Sequence, residues 1–283
     1  MEALIEIQST GIFRFVGSPV YGKQDFGYAP GGAADRFSLA TGNILLQSPE
    51  GAPALEMVLA PGIKFKTACC FILTGGKCSD VVLSETNNNK TVAHGVVYLA
   101  PAGSRLVFGK KFYGLRTYLC IRDTTDGGRH LVGTRRGSFS EVAHWPHPQG
   151  RIRVVKGPEY EVLVRPEDFI SGTWSCAAAM DNMGIRLSGK PVATRNPLGT
   201  MISAPVDDGT IQLTPNGPII LLRERQTCGG YPRIFSVISS DIDLLAQYQP
   251  FQKIQFAVVS LEAAREIARL RASDLADLKR RFL

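Results

Sequence analysis

The chain has 283 residues, of which 44% are hydrophobic and 20% are charged. This length is ordinary for two domains, and this composition excludes an intrinsically disordered chain and a coiled coil. The formal net charge of +7 would attract anions such as carboxylates, nucleotides and nucleic acid, although a surface with an excess of Lys and Arg is the simpler explanation. Nucleic acid is the weakest candidate among them, because the sequence has no recognition-helix or RNA-binding signature.

The cysteines and the N-terminus indicate the compartment. The six cysteines include an adjacent pair, Cys69 and Cys70, and form no C-x-x-C motif. Free thiols in a reducing compartment fit this pattern best. Glu2 and Glu6 lie where a signal peptide needs basic and then apolar residues, and no uncharged apolar run reaches the roughly 18 residues of a membrane span. We therefore expect a soluble, cytoplasmic protein that does not enter a membrane.

The first helix is predicted to start near Asp35, after the glycine-rich stretch GYAPGGAA (27–34). Two roles are possible for the start of this helix. Asp35 can cap the helix, or the free backbone N–H groups can meet an anion at the helix N-terminus. Asn43 would lie in the helix interior, where its amide is disfavoured unless it bonds to a specific group. Asp35 and Asn43 are therefore candidate substrate-binding residues.

Most of the remaining chain has the β-branched and aromatic composition of short strands, punctuated by Gly, Pro and Asn. The predicted strands are 71–76, 96–101, 105–109, 116–121, 151–155, 210–215, 219–222, 234–238 and 253–260. Helices are the minority. Short ones are predicted at 165–170 and 241–248, and a longer one at 261–282 with Ser260 as its cap. The expected fold class is therefore mainly β, with a few short helices and a C-terminal helix.

An internal sequence repeat predicts two related β domains. GVVYLAPAGSRLVFG, which begins at Gly95, and GTIQLTPNGPIILLR, which begins at Gly209, share glycine, apolar and proline positions at one offset. Each copy has the hairpin pattern of strand, Pro/Gly turn and strand, followed by a loop and a third strand. We place the boundary in the Pro-rich stretch HWPHPQGR (144–151). The predicted domains are 1–147 and 151–259, followed by a helical tail at 260–283.

Several motifs are absent or weak. GGKCS (75–79) contains Gly-Lys but lacks the upstream glycine and the hydroxyl residue of a phosphate-binding loop, so it is predicted to be a turn. EVAHWPH (141–147) places two histidines three residues apart, but the prolines there prevent a helix from presenting both to a metal ion. The sequence nominates no metal site. It also nominates no Ser–His or Cys–His pair, although such groups meet only in space.

Two further segments carry polar residues that a β scaffold does not require. AMDNMGIRLSG (179–189) contains Asn182 and Arg186. Arg186 lies between two apolar residues of a strand, and it is predicted to point away from the face that they use, either into solvent or towards a carboxylate. RERQTCGGYPRI (223–234) combines charge, an amide, hydroxyls and two glycines between two apolar runs. It can be an active-site loop, or only the turn between two strands.

Together these stretches resemble one protein family. The segments that carry the resemblance are GGAADRFSLATGN (31–43), MGIRLSG (183–189), APVDDGTIQLTPNGPIILL (204–222) and QTCGGYPRI (226–234). In this order they are similar to the C-type subunit of bacterial 5-oxoprolinase, which shares a family with allophanate hydrolase subunit 2, the Kip-type antagonist and half of the carboxyltransferase domain of urea carboxylase. The most specific part is the pattern Q-T-x-G-G-Y-P-[RK]-I.

The resemblance implies a fold of two cyclophilin-like β-barrel domains and a B-type partner subunit, similar to allophanate hydrolase subunit 1. In the 5-oxoprolinase system, a third, A-type subunit is needed for the ATP-dependent opening of 5-oxoproline to glutamate. In the urea carboxylase relatives, the paired domains accept a carboxyl group from biotin, which here would need a separate carrier. Self-association into a homo-oligomer stays open.

The resemblance also suggests which residues act. The candidate catalytic residues are Arg233, Gln226, Thr227 and Arg186. The candidate substrate-binding residues are Tyr231, Gly229, Gly230, Asp35, Asn43 and Asn182. Arginines and backbone N–H groups suit a small amide or carboxylate and the negative charge that develops on it. We therefore predict a subunit of an ATP-dependent amidohydrolase or carboxyltransferase-type complex, most simply one that converts 5-oxoproline to glutamate.

Departures from the family pattern keep an alternative open. Asn182 stands where the family has an arginine and Ile185 where it has a tyrosine, and segments 13–18 and 126–139 lack several polar groups of the family. These changes favour a non-catalytic regulatory module of the Kip-antagonist type that binds a B-type partner. An unrelated binder of anions or nucleic acid is the third hypothesis.

Overall fold

The computed structural model describes residues 1, 3–85, 88–124, 150–198 and 201–282. These residues divide into two compact units. Unit 1 comprises 1–18, 35–124 and 272–282, and unit 2 comprises 19–34 and 150–271. Each unit therefore includes a stretch from outside the range that the sequence predicts for its domain. Residues 144–149 of the predicted linker, the EVAHWPH histidines and the altered segment 126–139 lie outside the described residues.

Unit 1 contains two antiparallel sheets of five strands each. Its strands are β1 (Ile5–Ile7), β2 (Ile12–Val16), β3 (Ala54–Leu59), β4 (Ile63–Phe65), β5 (Cys69–Cys78), β6 (Val82–Glu85), β7 (Asn88–Thr91), β8 (Tyr98–Ala100), β9 (Arg105–Val107) and β10 (Lys111–Asp123). One sheet has the order β1-β4-β9-β6-β7, and the other has the order β2-β3-β10-β5-β8. Alternate residues of these strands, such as Leu55, Phe71 and Leu119, form one buried apolar core, as the two-residue period of a strand requires.

Helix α1 (Arg36–Leu45) packs against β5 and β10. Its predicted start is confirmed, because Asp35 is its N-cap and Oδ1 of that residue accepts a hydrogen bond of 2.9 Å from the Ser38 N–H. Gly42 allows the close approach to the sheet, since a Cβ there would lie 2.6 Å from Sγ of Cys120. The predicted specific bond of Asn43 is also present. Its Nδ2 donates to the carbonyl oxygens of Glu50 and Ala52, at 2.9 and 2.8 Å.

A row of four polar residues crosses the sheet that carries α1. Arg14, Glu56, Tyr118 and Thr74 lie in register on β2, β3, β10 and β5. Arg14 Nε and the Tyr118 hydroxyl donate to the two carboxylate oxygens of Glu56, at 2.8 and 2.7 Å. The same hydroxyl accepts a bond of 2.8 Å from the Asp35 N–H. Burial raises the pKa of Tyr118 well above its ordinary value, and the neighbouring carboxylates add to this rise, so the phenol keeps its proton.

Unit 2 is built around one sheet of eight strands. Its strands are β11 (Ile152–Lys156), β12 (Trp174–Cys176), β13 (Gly184–Ser188), β14 (Ala204–Pro205), β15 (Thr210–Thr214), β16 (Gly217–Leu221), β17 (Cys228–Gly229), β18 (Arg233–Val237), β19 (Lys253–Ile254) and β20 (Phe256–Val258). The sheet order is β19-β12-β13-β16-β15-β18-β11-β20, and β14 pairs with β17 separately. Only Gln255 separates the two edge strands β19 and β20 along the chain, so the sheet is nearly closed into a barrel.

Three further α-helices are present among the described residues: α2 (Pro166–Ser171), α3 (Ser239–Leu245) and α4 (Leu261–Phe282). Short 3₁₀ turns occupy Gln24–Phe26 and Tyr160–Val162. The predicted cap of α4 is confirmed, because Oγ of Ser260 accepts a bond of 3.1 Å from the Ala263 N–H. In the part of the chain that the structure describes, no helix has the length and apolar character that a membrane span requires. The predicted fold class, mainly β with short helices and a C-terminal helix, is confirmed.

The two copies of the internal sequence repeat have the same order of strands but different strand pairing. In the second copy β15 and β16 form an antiparallel hairpin, with Thr214 opposite Gly217. In the first copy β8 and β9 belong to different sheets, because β8 pairs with β5 whereas β9 pairs with β4 and β6. The hairpin predicted for the first copy is therefore wrong. The turn between its strands redirects the chain from one sheet to the other.

The Tyr118 hydroxyl supports the unit 1 core, and its removal tests this role. Tyr118→Phe leaves the buried Glu56 carboxylate and the Asp35 N–H each without one partner, so we expect a loss of about 3 kcal/mol in the free energy of unfolding. Tyr28→Phe, at an exposed tyrosine, is the matched control and should change little. Urea denaturation measures both variants. Equal effects of the two substitutions would contradict a structural role for this hydroxyl.

Candidate functional site

A cavity of about 280 Å³ lies on the face of the unit 2 sheet that points away from the apolar core. Arg186, Gln212, Gln226 and Tyr231 line it, together with Asp181. Three of these residues, Arg186, Gln226 and Tyr231, are among the site residues predicted from the sequence. The structure thus brings together members of two segments that lie about 40 residues apart in the chain.

Strand alternation positions Arg186. Its neighbours Ile185 and Leu187 are buried in the core, whereas Arg186 is exposed, so the predicted orientation is confirmed. Arg186 lies opposite Ile219 of β16, and Ile219 lies opposite Gln212 of β15. Within the described residues, the Arg186 guanidinium has no hydrogen-bond or ion-pair partner. A guanidinium in this state has all five N–H donors available for a ligand.

Gln212 lies beneath the predicted loop and was not among the predicted site residues. Its side chain is 2% exposed. Nε2 donates to the main-chain oxygen of Tyr231 at 3.2 Å, and Oε1 accepts from Nε2 of Gln226 at 3.3 Å. The sequence carries one signal of this role, an amide in the middle of the strand TIQLT. A buried amide requires partners, so such a residue indicates a polar contact on that face of the sheet.

The segment 226–231 is fixed to its neighbour by main-chain pairing. Gly229 pairs with Ala204 in the β14–β17 ladder, and the Thr227 carbonyl accepts from the Val206 N–H at 3.0 Å. A Cβ at Gly229 would lie 2.4 Å from Nε2 of Gln212, whereas the nearest atom to a Cβ at Gly230 is 3.3 Å away. Gly229 therefore lets the segment approach the buried amide. Thr227, Gly229 and Gly230 do not line the cavity.

The two arginines at the start of RERQTCGGYPRI (223–234) are buried and form ion pairs. Arg223 Nη2 lies 2.8 Å from Oδ1 of Asp243, and Arg223 Nε donates to the main-chain oxygen of Ala34 at 3.0 Å. Arg225 Nε lies 3.2 Å from Oδ1 of Asp208. Buried cations with acidic partners hold their segments in place, and their removal would leave unpaired buried charge. These two arginines are therefore structural.

Arg233 is held by an acid on a different segment. Its Nε and Nη2 bind the two carboxylate oxygens of Glu159 at 2.8 and 2.7 Å, and its Nη1 donates to the Pro205 oxygen at 2.7 Å. Hydrogen bonds from this guanidinium hold the pKa of Glu159 below its ordinary value. Arg233 lies opposite Gln212 on β18 but does not line the cavity. Arg233 therefore links β18 to Pro205 of β14 and to Glu159, and the Glu159–Arg233 ion pair is called the clamp below.

The remaining predicted residues lie in other surroundings. The main-chain oxygen of Asn182 accepts from the Glu224 N–H at 3.0 Å. Oδ1 of Asp181 accepts from the N–H groups of Met183 and Gly184, which forms the turn before β13. Asp35 and Asn43 belong to unit 1, where both side chains are buried and bonded to neighbouring main chain. A substrate-binding role for Asp35, Asn43 and Asn182 stays a prediction.

The comparison with known families now decides the relationship. The family model of the carboxyltransferase domain, subdomain A and B, matches residues 26–135 and 132–258. The chain belongs to this family. Among curated proteins it is similar to the C-type subunit of 5-oxoprolinase from Haemophilus influenzae, with 28% identity over 94% of each chain. The counterpart in Escherichia coli is 30% identical, over 86% of this chain and 87% of its own length. The resemblance to this family is thereby confirmed.

Solved structures support the same fold. The urea amidolyase of K. lactis superposes with a TM-score of 0.83 at 18% sequence identity. The match covers 97% of this chain and 20% of the urea amidolyase chain. This family member therefore spans about one fifth of that larger protein. At this level of identity the likeness establishes the fold alone.

The contact between Gly229 and Gln212 gives a stability prediction. In Gly229→Ala the new methyl group displaces the Gln212 amide and breaks its two hydrogen bonds, so we expect a loss of about 1 kcal/mol or more in the free energy of unfolding. Gly230→Ala, one residue away with more space, is the matched control. Thermal denaturation compares the two variants. If Gly230→Ala destabilises the chain as much, contact with Gln212 is not the cause.

The Glu159–Arg233 clamp gives a pH prediction. Because the pKa of Glu159 is lowered in the folded state, its stabilisation is present above the ordinary Glu pKa of about 4.3 and is lost as the pH falls through the lower folded value. Glu159→Gln should therefore lower the melting temperature at pH 7, and its difference from the wild type should shrink below about pH 4. Glu161→Gln, at an exposed neighbour, is the control. A difference that stays constant with pH would refute the assignment.

Proposed function

We propose that this chain is one subunit of an ATP-dependent amidohydrolase or carboxyltransferase-type complex, and that the unit 2 cavity binds its small substrate. The substrate class is a small amide with a carboxylate, of which 5-oxoproline is the leading member. The observation that carries the proposal is Arg186, a guanidinium without an internal partner among the described residues, beside Gln226 and Tyr231. The two bacterial relatives, which bear the name of 5-oxoprolinase, support the same substrate.

Arg186 suits the carboxylate of such a substrate. The planar guanidinium donates two parallel hydrogen bonds to a carboxylate, and charge-assisted bonds of this kind are about twice as strong as neutral ones. The cavity volume of about 280 Å³ admits a ligand the size of a single amino acid. Gln226 and the Tyr231 hydroxyl supply neutral hydrogen-bonding groups for the amide. Binding and orientation are thus the tasks that these residues can perform.

The chemical step requires more than the residues of this cavity. An unstrained lactam opens only after its carbonyl is activated, which in this proposal uses ATP within the complex. Arg186 and Gln226 would hold the substrate so that its carbonyl meets the activating group in a defined orientation. Thr227 and Arg233 are predicted to be catalytic, and here they act through main-chain pairing and the Glu159 clamp rather than by contact with the ligand.

Neither GGKCS nor the unit 2 cavity fits a triphosphate. GGKCS, which has a superficial likeness to a phosphate loop, is not the predicted turn, because its residues 75–78 belong to β5, and it does not join a strand to a helix. The cavity offers one guanidinium, which is too little positive charge for three phosphates. We therefore assign ATP to another subunit of the complex. A biotin group would likewise come with a separate carrier.

A B-type partner subunit is part of the proposal, and the complex also includes an A-type subunit. The bacterial relatives are each named as one subunit of 5-oxoprolinase, which implies that other subunits exist. Segment 19–34 of unit 2 supports a docking role, since Val20, Tyr21, Phe26 and Tyr28 are all exposed. Clusters of exposed large apolar side chains mark protein-interaction sites.

Phe26→Ser with Tyr28→Ser should weaken co-purification with the B-type subunit.

A regulatory binding module is the second candidate function. The described residues that line the cavity include no histidine, lysine, cysteine or serine. Such a cavity can bind a ligand without reacting with it, which is compatible with a Kip-type module that binds a B-type partner and has no chemistry of its own. Glutamate release by the assembled subunits decides between the two functions. Stable assembly with a B-type subunit that never produces turnover would favour the regulatory module.

Substitution of Arg186 tests the proposed function. We expect Arg186→Gln to lower kcat/KM for 5-oxoproline at least about ten-fold, because a charge-assisted bidentate contact is lost. Arg186→Lys, which keeps the charge but not the fork, should give an intermediate loss. Lys190→Gln, at an exposed basic residue just after the same strand, is the control. Glutamate release coupled to ATP hydrolysis measures all three variants with the partner subunits. Full activity of Arg186→Gln would remove this cavity from the proposal.

A further inference from the structure

We propose that Gln212 is the positioning residue of the unit 2 cavity, and that it makes Gln226 present its side-chain oxygen to an N–H group of the ligand. This inference rests on the proposed function for the location of the ligand. It defines the ligand class more narrowly, as a small molecule that joins a secondary amide N–H to a carboxylate.

The argument begins with the orientation of the Gln212 amide. Its first partner is the main-chain oxygen of Tyr231, which can only accept hydrogen bonds. Gln212 must therefore turn Nε2 towards Tyr231, as the distance of 3.2 Å shows. The opposite orientation would place two oxygens against each other at a site where the Gln212 side chain is 2% exposed. Buried oxygens without donors are strongly disfavoured, so the orientation is fixed.

The orientation of Gln212 determines that of Gln226. Oε1 of Gln212 can only accept, so Gln226 must donate through its own Nε2, at 3.3 Å. Oε1 of Gln226 accepts no hydrogen bond from the described residues, and this side chain is exposed where it lines the cavity. The residues that line the cavity therefore include a Gln226 amide whose oxygen is free to accept, and the Arg186 guanidinium, which only donates.

This pairing selects the chemistry of the ligand. The Arg186 donors match a carboxylate, and the Gln226 oxygen matches an N–H group. The other acceptors in the lining are less free or less selective: Asp181 Oδ1 already accepts from two main-chain N–H groups, Gln212 Oε1 accepts from Gln226, and the Tyr231 hydroxyl can donate as well as accept. A ring lactam that carries a carboxylate meets both requirements. The corresponding lactone, in which oxygen replaces the N–H group, would place an acceptor against the Gln226 oxygen.

Two variants separate the two contacts of Gln212. Gln212→Leu has a similar size but removes both contacts, so Gln226 can turn its amide over. Gln212→Glu keeps an acceptor for Gln226 but cannot donate to Tyr231. Both variants are used as the full chain, alone for hydrogen exchange and assembled with the partner subunits for calorimetry. The probes are 5-oxoproline and its lactone counterpart.

Hydrogen exchange reports whether segment 226–231 is anchored. Because both variants lose the bond to the Tyr231 oxygen, we expect amide exchange in this segment to become about ten-fold faster in each of them. Calorimetry reports the orientation of Gln226. The wild type should prefer the lactam by about ten-fold, and Gln212→Glu should keep that preference. In Gln212→Leu the preference should fall to about two-fold or less.

The inference is overturned if Gln212→Leu keeps both the wild-type exchange rate and the wild-type preference for the lactam. Faster exchange with an unchanged preference overturns the ligand selection and leaves the anchoring role supported. If the wild type binds neither ring compound, the proposed function fails. The exchange measurement then still decides whether Gln212 positions the segment.

Discussion

The geometry of the unit 2 site depends on one amide that is buried in a strand. All five residues of β15 are buried, so Gln212 has no access to solvent and both ends of its amide need partners within the chain. Those partners are Tyr231 and Gln226, which belong to the segment between β16 and β18. The bonds of the buried amide therefore act together with the β14–β17 pairing to hold that segment, and Gly229 supplies the space that the contact with Gln212 requires.

Each unit carries a row of polar residues across a sheet, and the two rows end differently. In unit 1 the row of Arg14, Glu56, Tyr118 and Thr74 is bonded within itself and to the start of α1. In unit 2 three polar residues, Arg186, Gln212 and Arg233, lie in one register row, with the apolar Ile219 between Arg186 and Gln212. Arg233 ends on Glu159, whereas Arg186 ends in a cavity. A fully bonded row stabilises a core, and a row with an open cation can recognise an anion.

Local rules predicted the elements but not their long-range partners. The cap at Asp35, the cap at Ser260 and the orientation of Arg186 follow from a few neighbouring residues, and all three are confirmed. The ion pair between Arg233 and Glu159 joins residues 74 apart in the chain, and no local pattern specifies such a pair. The pairing of β9 likewise depends on β4, about 40 residues earlier. Sequence patterns alone therefore could not pair Arg233 with Glu159, and they did not place Gln212 among the candidate site residues.

The distinction between binding and structural arginines depends on where the acids lie. Arg223, Arg225 and Arg233 belong to RERQTCGGYPRI (223–234), and each of them has an acidic partner. Arg186 lies in a less specific segment, and its nearest acid in the cavity lining, Asp181, uses Oδ1 for the turn before β13. An external carboxylate therefore meets little internal competition at Arg186. At the other three arginines, an external carboxylate would have to displace an acidic side chain that stabilises the fold. The free energy lost by breaking a buried ion pair is far larger than the free energy gained from a surface ion pair. Of these four arginines, Arg186 is the one without an acidic partner among the described residues, which is why we propose it, rather than the other three, for anion recognition.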